Sequence, residues 1–517
     1  MSSWVGVLPG AEAQSAGALS RQVDSFLVPQ SAAPDLNGGV MVVAHGTLPF
    51  QRVYGLASFA SRAPLSTSSV FQAASLAKPF TAIAIVQLRD AGRLTLDQPV
   101  RDVLAWFPFP AVTVRHLLTH TSGLPDLEVY ESIVASDPEH IVGLADLETA
   151  LRSWPSTQVG EAGATFRYSN LNYQLLAAIV ERASGQSFAV YMRDAVFRPA
   201  GMTSTYVLGG VAIGDTRAPV ANHARATMFE TEPRDVASIS YLDERRMRRL
   251  RYETVNLGAT LGDQNLFTTL GDLRRFNAAL TRQRLLSVQS LAEAWRPGTL
   301  SDGETIAETR TNPAYGVRCS YGLGWEVCDH PEYGRIVGHG GYNRGIATQF
   351  MRSTERGFAL ALFDNGDSGD FSLKANGLLA IANGDAPPQL DRRRSISRAY
   401  GQELLRSDPV TARALFTRLR DMPDRWTFSG AGLNQLGYDL LLNGHEELSL
   451  EPFRLNVELH PDNGDYFDSL GEAFAALGRT DEAIAAYARA FELDPNNENA
   501  RDVLARLRAH NTQPAEH

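Results

Sequence analysis

The sequence predicts an α+β fold, an antiparallel sheet flanked by helices, followed by an all-α domain built from repeats. Three observations predict it. Short runs rich in Val and Tyr at 39–45 and 51–56 surround the turn-like pair Gly46-Thr47 and read as a hairpin. Between 321 and 363 the apolar residues again recur with period two, interrupted by Gly, Asp and Pro, which adds four strands at 321–327, 334–337, 346–351 and 358–363. Beyond residue 395 the pattern is helical, and a set of residues returns 34 positions later. Hairpin and late strands can share one sheet, with the helical middle of the chain inserted between them.

Composition narrows the function classes. At 517 residues the chain exceeds one ordinary core, so two or more domains are expected. A net charge of −10 argues against nucleic acid or an anionic membrane as the main partner. No apolar run approaches the roughly 20 residues of a membrane span. The first 20 residues have neither the basic start nor the long apolar stretch of a secretory signal, and read as a disordered leader; the compartment stays open between cell envelope and cytoplasm. Cys319 and Cys328 flank the strand expected at 321–327. An extended separation of that kind approaches 30 Å at about 3.3 Å per residue, so two unpaired thiols are expected unless the chain folds back.

In chain order, the hairpin leads to Phe71-Gln72-Ala73-Ala74-Ser75-Leu76-Ala77-Lys78 and the apolar run 79–88, which reads as a helix buried on all sides and stopped by Gly92. Ser75 and Lys78, three apart at its start, share a face. Pro79 is tolerated there because first-turn amides lack intrahelical partners. Lysine is rare here: Lys78 and Lys374 are the only two among 48 basic residues. Arginine cannot give up its proton, whereas a desolvated lysine can serve as base or relay. His116-Leu117-Leu118-Thr119-His120-Thr121-Ser122-Gly123-Leu124-Pro125 reads as a helix end breaking into a turn. Its two histidines have no carboxylate beside them and are expected to hydrogen-bond that turn. Helices follow at 173–183, 268–280, 288–295 and 373–382. The arginine cluster at Arg245, Arg246, Arg248, Arg249 and Arg251 is bracketed by acids and reads as a solvated helix.

The expected boundaries are a leader at 1–20, a first domain at 21–384, a linker at 385–395 and a helical domain at 396–517. Within the last, Leu433, Leu436-Gly437, Leu440, Gly444, Phe453 and Pro461 recur as Phe467, Leu470-Gly471, Phe474, Gly478, Tyr487 and Pro495. The segments 430–463 and 464–497 thus resemble tetratricopeptide repeats, with Ser449 and Ala483 at the small-residue crossing. Two repeats rarely bury enough surface alone, so helices at 397–406, 409–421 and 500–509 are expected to complete the stack. Such repeats usually offer a concave face to a protein or peptide partner, or dock on a neighbouring domain.

Three pieces stand in order along the first domain: Ser75-x-x-Lys78, Tyr168-Ser169-Asn170 and His339-Gly340-Gly341. With the phrases 116–125, Tyr321-Gly322-Leu323-Gly324-Trp325 and Gly338-His339-Gly340-Gly341, they resemble the serine β-lactamase and penicillin-binding-protein superfamily. The branch is that of class C β-lactamases, DD-peptidases, D-aminopeptidases and family VIII esterases. The resemblance covers roughly residues 20 to 384 and implies the β-lactamase/transpeptidase-like fold. It also implies a serine hydrolase that needs no metal or organic cofactor. Ser75 would attack a carbonyl and hold the acyl group. Tyr168 beside the Lys78 ammonium would have its anion favoured, and the pair would take and return the serine proton. Asn170 would meet the substrate or orient Lys78. Gly340 and Gly341 would let a substrate lie along the strand edge. The amides of Ser75 and Tyr342 would form an oxyanion hole. His339 stands where the lactamases carry lysine, and would hold a carboxylate if protonated or donate a neutral hydrogen bond. That departure favours a small ester, peptide or amide substrate, those containing a D-residue included, over a β-lactam. Asn265 replaces an expected glycine. The alternatives are an acyltransferase or peptide cyclase, a weak β-lactamase, and a non-catalytic scaffold acting through its repeats.

Overall fold

The computed structural model describes residues 16–28, 36–44, 49–57, 63–208, 256–306, 311–343, 346–353, 355–365, 370–442, 444–495 and 497–511. The Gly46-Thr47 turn and the arginine cluster lie outside them. Two compact units divide the chain between Leu390 and Asp391.

The first unit is organised on a seven-stranded antiparallel sheet. Its strands are β1 (Gly38–Val43), β2 (Phe50–Tyr54), β3 (Ser320–Tyr321), β4 (Glu326–His330), β5 (Gly334–Asn343), β6 (Ile346–Ser353) and β7 (Phe358–Asp364), in the spatial order β2-β1-β7-β6-β5-β4-β3. β1 pairs with both β2 and β7, which joins the N-terminal hairpin to the late strands. Period-two alternation has the expected consequence, with both faces covered. Val40, Val42, Met351, Leu360 and Leu362 belong to one core, shared with α1 (Ala16–Leu27) and α7 (Phe371–Ala382). Met41, Phe350, Ala361 and Phe363 belong to the other. That second core is shared with α2 (Ala77–Asp90), α4 (Asn170–Ser184) and α5 (Leu270–Thr281). The short α3 (Val114–Leu118) and α6 (Val288–Ala294) complete the helical side.

Two expectations are corrected. Residues 16–20 are not leader: they open α1, whose Leu19, Val23 and Phe26 are buried on the sheet. The fit is close enough that a Cβ on Gly377 of α7 would fall 2.1 Å from the Phe26 ring. The earlier residues lie outside the described ones. The cysteines are joined, Cys319 to Cys328, with Cα atoms 4.3 Å apart. The segment 321–327 is no single strand but a hairpin corner. Gly322 donates to the Trp325 carbonyl at 2.8 Å and Gly324 takes φ +80°, so Tyr321 pairs with Glu326 and the flanking thiols meet across the ladder.

The second unit is helical. After α8 (Ile396–Arg406) and α9 (Pro409–Arg420) come α10 (Gly430–Leu442), α11 (Glu446–Leu459), α12 (Gly464–Ala476), α13 (Thr480–Leu493) and α14 (Glu498–Asn511). The 34-residue period is visible in the packing. A Cβ on Gly437 would lie 2.5 Å from the Phe453 ring, and one on Gly471 would lie 3.0 Å from the Tyr487 ring. Ser449 and Ala483 are both fully buried at the crossing. Phe474 and Tyr487 are buried and Phe467 packs beside them, so these aromatics are repeat core.

Candidate active site

Ser75 sits on a corner. The strand Phe71–Gln72 pairs with Leu266–Thr268, and the Ala73 amide continues the ladder to the Leu266 carbonyl at 2.8 Å. Ala74 then adopts φ +48°, a left-handed conformation uncommon for a residue with a Cβ, and a short 3₁₀ turn over Ala74–Leu76 feeds α2. The turn is pressed against the sheet: Thr348 of β6 donates to the Ala73 carbonyl at 2.8 Å. Gly341 of β5 comes so near that a Cβ there would lie 2.7 Å from the Ala73 oxygen and 2.8 Å from the Ser75 nitrogen. Glycine at 341 is therefore a steric requirement.

Lys78, one turn into the apolar helix, is fully buried. Its Nζ donates to Ser75 Oγ at 2.9 Å, to Asn170 Oδ1 at 2.8 Å and to the Asp263 carbonyl at 3.3 Å. Burial pulls its pKa down to about 8, against the opposing pull of Asp263 and Asp126. Burial likewise pushes the Asp263 carboxyl up to about 7. Asp263 lies in the loop that crosses α2, anchored by Thr81 donating to the Gly262 carbonyl at 2.7 Å.

Tyr168 comes from the segment just before α4. The turn after α3 shapes that segment through His120, whose backbone oxygen accepts from the Arg167 amide at 2.8 Å and whose Nδ1 accepts from the Ser169 amide at 3.1 Å. The His120 ring stacks on Tyr168 at 4.2 Å, and Ser169 Oγ donates to the Pro125 carbonyl at 2.8 Å. Tyr168 and Ser75 line the same cavity, and Ser75 pulls the phenol pKa down. The expected phenolate is not what these surroundings favour. Lys78 Nζ lies over the ring, 4.9 Å from its centroid, and desolvation of the hydroxyl raises the phenol well above its usual pKa, opposed by Ser75, although 38% of the residue faces the cavity and solvent.

Asn170 has its amide engaged on both sides, Oδ1 with Lys78 and Nδ2 with Asp126 Oδ2 at 3.2 Å, so of its two expected uses the structure displays the orientation of Lys78. His339 is buried and its nitrogens are occupied. Nδ1 lies 2.5 Å from the Gly340 carbonyl and Nε2 2.9 Å from the Tyr321 hydroxyl. A carbonyl only accepts, so Nδ1 carries the proton and Tyr321 donates to Nε2. Burial, then the nearby Lys78 charge, pulls the imidazole down to about 3, which excludes the protonated form near neutrality. β5 pairs with β4 only as far as Gly338, leaving one edge of His339–Asn343 without a neighbouring strand. Glu326, whose carboxyl burial pushes up, lines the cavity beside that edge.

A cavity of about 680 Å³ gathers Ser75, Tyr168, Asn170, His339, Gly340, Gly341 and Tyr342 on one wall set, with Leu127 and Phe371 at its apolar side. Of the expected catalytic, substrate-binding and oxyanion residues, all line it except Lys78, which reaches it through its bond to Ser75. Sequence reasoning missed Asp126, Asp263, Tyr321 and Glu326 as members. Tyr321 stands inside a quoted phrase and Asp126 directly follows one, but no spacing rule marks an acid in a loop. Asn265 takes φ +60°, which explains why glycine was expected; its amide compensates by donating to the carbonyls of Gly258 and Thr260 at 2.9 and 2.8 Å.

Comparison with known proteins agrees with this architecture. The beta-lactamase family profile matches residues 23–383 and the tetratricopeptide repeat profile matches 465–507. The chain is 33% identical over 330 residues to penicillin-binding protein 4* of Bacillus subtilis, covering 64% of this chain and 68% of that one. It is 36% identical over 209 residues to esterase EstB of Burkholderia gladioli, covering 38% and 53%. It is 24% identical over 370 residues to the D-aminopeptidase of Brucella anthropi, covering 71% and 63%. A penicillin-binding protein from Bacillus halodurans has the same fold, with a TM-score of 0.55, 24% identity and coverage of 71% of this chain and 98% of that one. The matched stretch opens within α1, closes at the end of α7, and takes in the whole sheet and every lining residue of the cavity. The chain therefore belongs to the beta-lactamase family of serine hydrolases.

Proposed function

We propose that the first unit hydrolyses a small ester, peptide or amide through an acyl-enzyme on Ser75. The observation that carries this is the meeting of amine and hydroxyl: Ser75 Oγ lies 2.9 Å from the Lys78 amine, which sits over the Tyr168 ring, and Ser75 and Tyr168 share the wall of an open cavity. In its neutral form Lys78 takes the Ser75 proton as Oγ bonds the substrate carbonyl carbon. The amides of Ser75 and Tyr342 face the oxyanion. The Lys78 ammonium, over the ring of the protonated Tyr168, then returns the proton to the departing alkoxide or amine, and water releases the acyl group by the reverse transfer. A pKa near 8 suits Lys78 to that part, since ammonium and amine are both populated close to neutrality.

A neutral His339, with both nitrogens engaged, supports substrates that need no carboxylate held at that position. The names of the relatives, an esterase and a D-aminopeptidase among them, support the same substrate range. The repeats support a protein or peptide partner for the second unit.

Intact-mass analysis after incubation with a fluorophosphonate, a penicillin and a panel of short esters tests the reading. The expected result is an adduct on the Ser75 peptide that is absent in Ser75→Ala, together with loss of ester turnover. Unchanged turnover by Ser75→Ala would remove the reading. An added amine or alcohol acceptor that diverts the product would point to acyl transfer instead.

A further inference from the structure

Asn170 can present either end of its amide to Lys78, and the choice matters. Its oxygen accepts from an ammonium; its NH₂ would oppose one. In the structure the oxygen faces Lys78 at 2.8 Å, and the other end of the amide is held by Asp126, whose Oδ2 accepts from Asn170 Nδ2 at 3.2 Å. Asp126 Oδ1 accepts from the Asn170 backbone amide at 2.6 Å. Ser169, the residue preceding α4, makes no side-chain cap. A carboxylate from a distant loop therefore caps that helix and has no donor of its own.

We propose that Asp126 is a positioning residue for catalysis: an acceptor-only group at the start of α4 that fixes the amide of Asn170 with its oxygen towards Lys78 and so sets the proton affinity of the base. This rests on the reading of Lys78 as base to Ser75. The groups that face Lys78 are Asp263 from the loop crossing α2, His120 from the turn after α3, Tyr168 and Tyr173 around the start of α4, and His339 from β5. Asp126 itself faces Lys78 and Glu128, and Glu128 is paired with Arg167 at 3.5 Å. Among these, Asp126 is the one that reaches Lys78 through a shared side chain.

The consequence can be read in a pH profile. In Asp126→Asn the new amide must keep its oxygen on the Asn170 backbone amide, which leaves its NH₂ facing Asn170 Nδ2. Two donors cannot share that contact, so Asn170 turns over and offers its own NH₂ to Lys78. The neutral amine is then favoured, and the loss of the Asp126 charge acts in the same direction. The acidic limb of kcat/KM, which rises with deprotonation of the base in the free enzyme, moves down by about one pH unit. The exchanged variant Asp126→Asn/Asn170→Asp keeps one donor–acceptor pair between the two positions and puts a carboxylate against Lys78. Its limb moves back to the wild-type position or above.

The experiment measures kcat/KM for a chromogenic ester from pH 5 to 10 on the full chain of both variants, with fluorophosphonate labelling of Ser75 and thermal melts alongside. A downward shift in the single variant and an upward return in the exchanged one support the proposal. A labelled, folded Asp126→Asn protein whose limb stays at the wild-type pH overturns it and leaves the hydrolase reading standing. An exchanged variant that fails to fold also counts against it, because the pairing it preserves would then not be what matters. Absence of a Ser75 adduct in the wild-type protein strikes the hydrolase reading itself.

Discussion

The Ser75 neighbourhood depends on single atoms whose tolerance differs sharply. Gly341 and Gly340 are adjacent, yet only one of them is constrained by backbone. A Cβ at 341 meets Thr348 Oγ1 at 2.5 Å and two backbone atoms of the Ser75 turn, whereas one at 340 meets only the Gln349 Oε1 tip at 3.0 Å. Gly341→Ala should lower kcat/KM by about 10² or more by displacing the nucleophile, and Gly340→Ala should lose far less; steady-state kinetics on the two variants checks the contrast. His339 supplies a second test. Its folded pKa of about 3 lies below the ordinary value near 6.5, so between those pH values the unfolded chain binds more protons and stability falls as pH drops. The contribution is fully present above about 6.5, and its loss amounts to a few kcal/mol by pH 3. Melting temperatures of wild type and His339→Gln over that range should converge towards acid, with the variant showing the shallower decline.

Elements deliver these residues in pairs. The β3–β4 hairpin carries Tyr321 and Glu326 directly opposite each other; Tyr321 holds His339 of β5, and Glu326 lines the cavity with Gly340. The Cys319–Cys328 bond closes the same hairpin nine residues apart, with both cysteines buried. Cys319→Ser/Cys328→Ser should cost about 2–3 kcal/mol in denaturant unfolding and should lower turnover as well, since the hairpin braces the substrate strand. A double variant with wild-type stability and kinetics would contradict that assignment. The turn after α3 works similarly on the other side, giving His120 and Asp126 to the start of α4. Both histidines of that turn hydrogen-bond backbone within or beside it: His116 Nδ1 accepts from the Thr113 amide at 3.3 Å and His120 Nδ1 from Ser169.

At the scale of the whole molecule, each unit has its own buried clusters. Among the described residues, two large ones before Asp391 surround the sheet, with a small one around Phe267; two others hold α8 to α14 together. Residues 391–517 expressed alone should give a helical circular-dichroism spectrum and a cooperative melt. Non-cooperative melting would show that the repeats do not constitute a self-sufficient core. Within that stretch Gly471→Val, which drives a branched side chain into the Tyr487 ring, should lower the midpoint.

Local pattern was enough for much of this protein. The strands announced themselves through period two, the buried helix through its unbroken apolar run, the repeats through a 34-residue return of Leu, Gly and aromatic residues, and the nucleophile through a rare lysine three positions from a serine. Each of those signals is written in neighbouring or evenly spaced residues. Tertiary structure decided what no spacing encodes: that Cys319 and Cys328 meet because Gly324 turns the chain back, that α1, opening at Ala16, lays Phe26 over Gly377, and that Lys78 lies over the face of the Tyr168 ring rather than at its hydroxyl. It also brought in Asp126 and Asp263, loop acids whose roles depend on which buried donors the fold sets before them. Proton affinities in the site follow from burial and from partners distant in sequence, and those exist only once the chain has closed around Ser75.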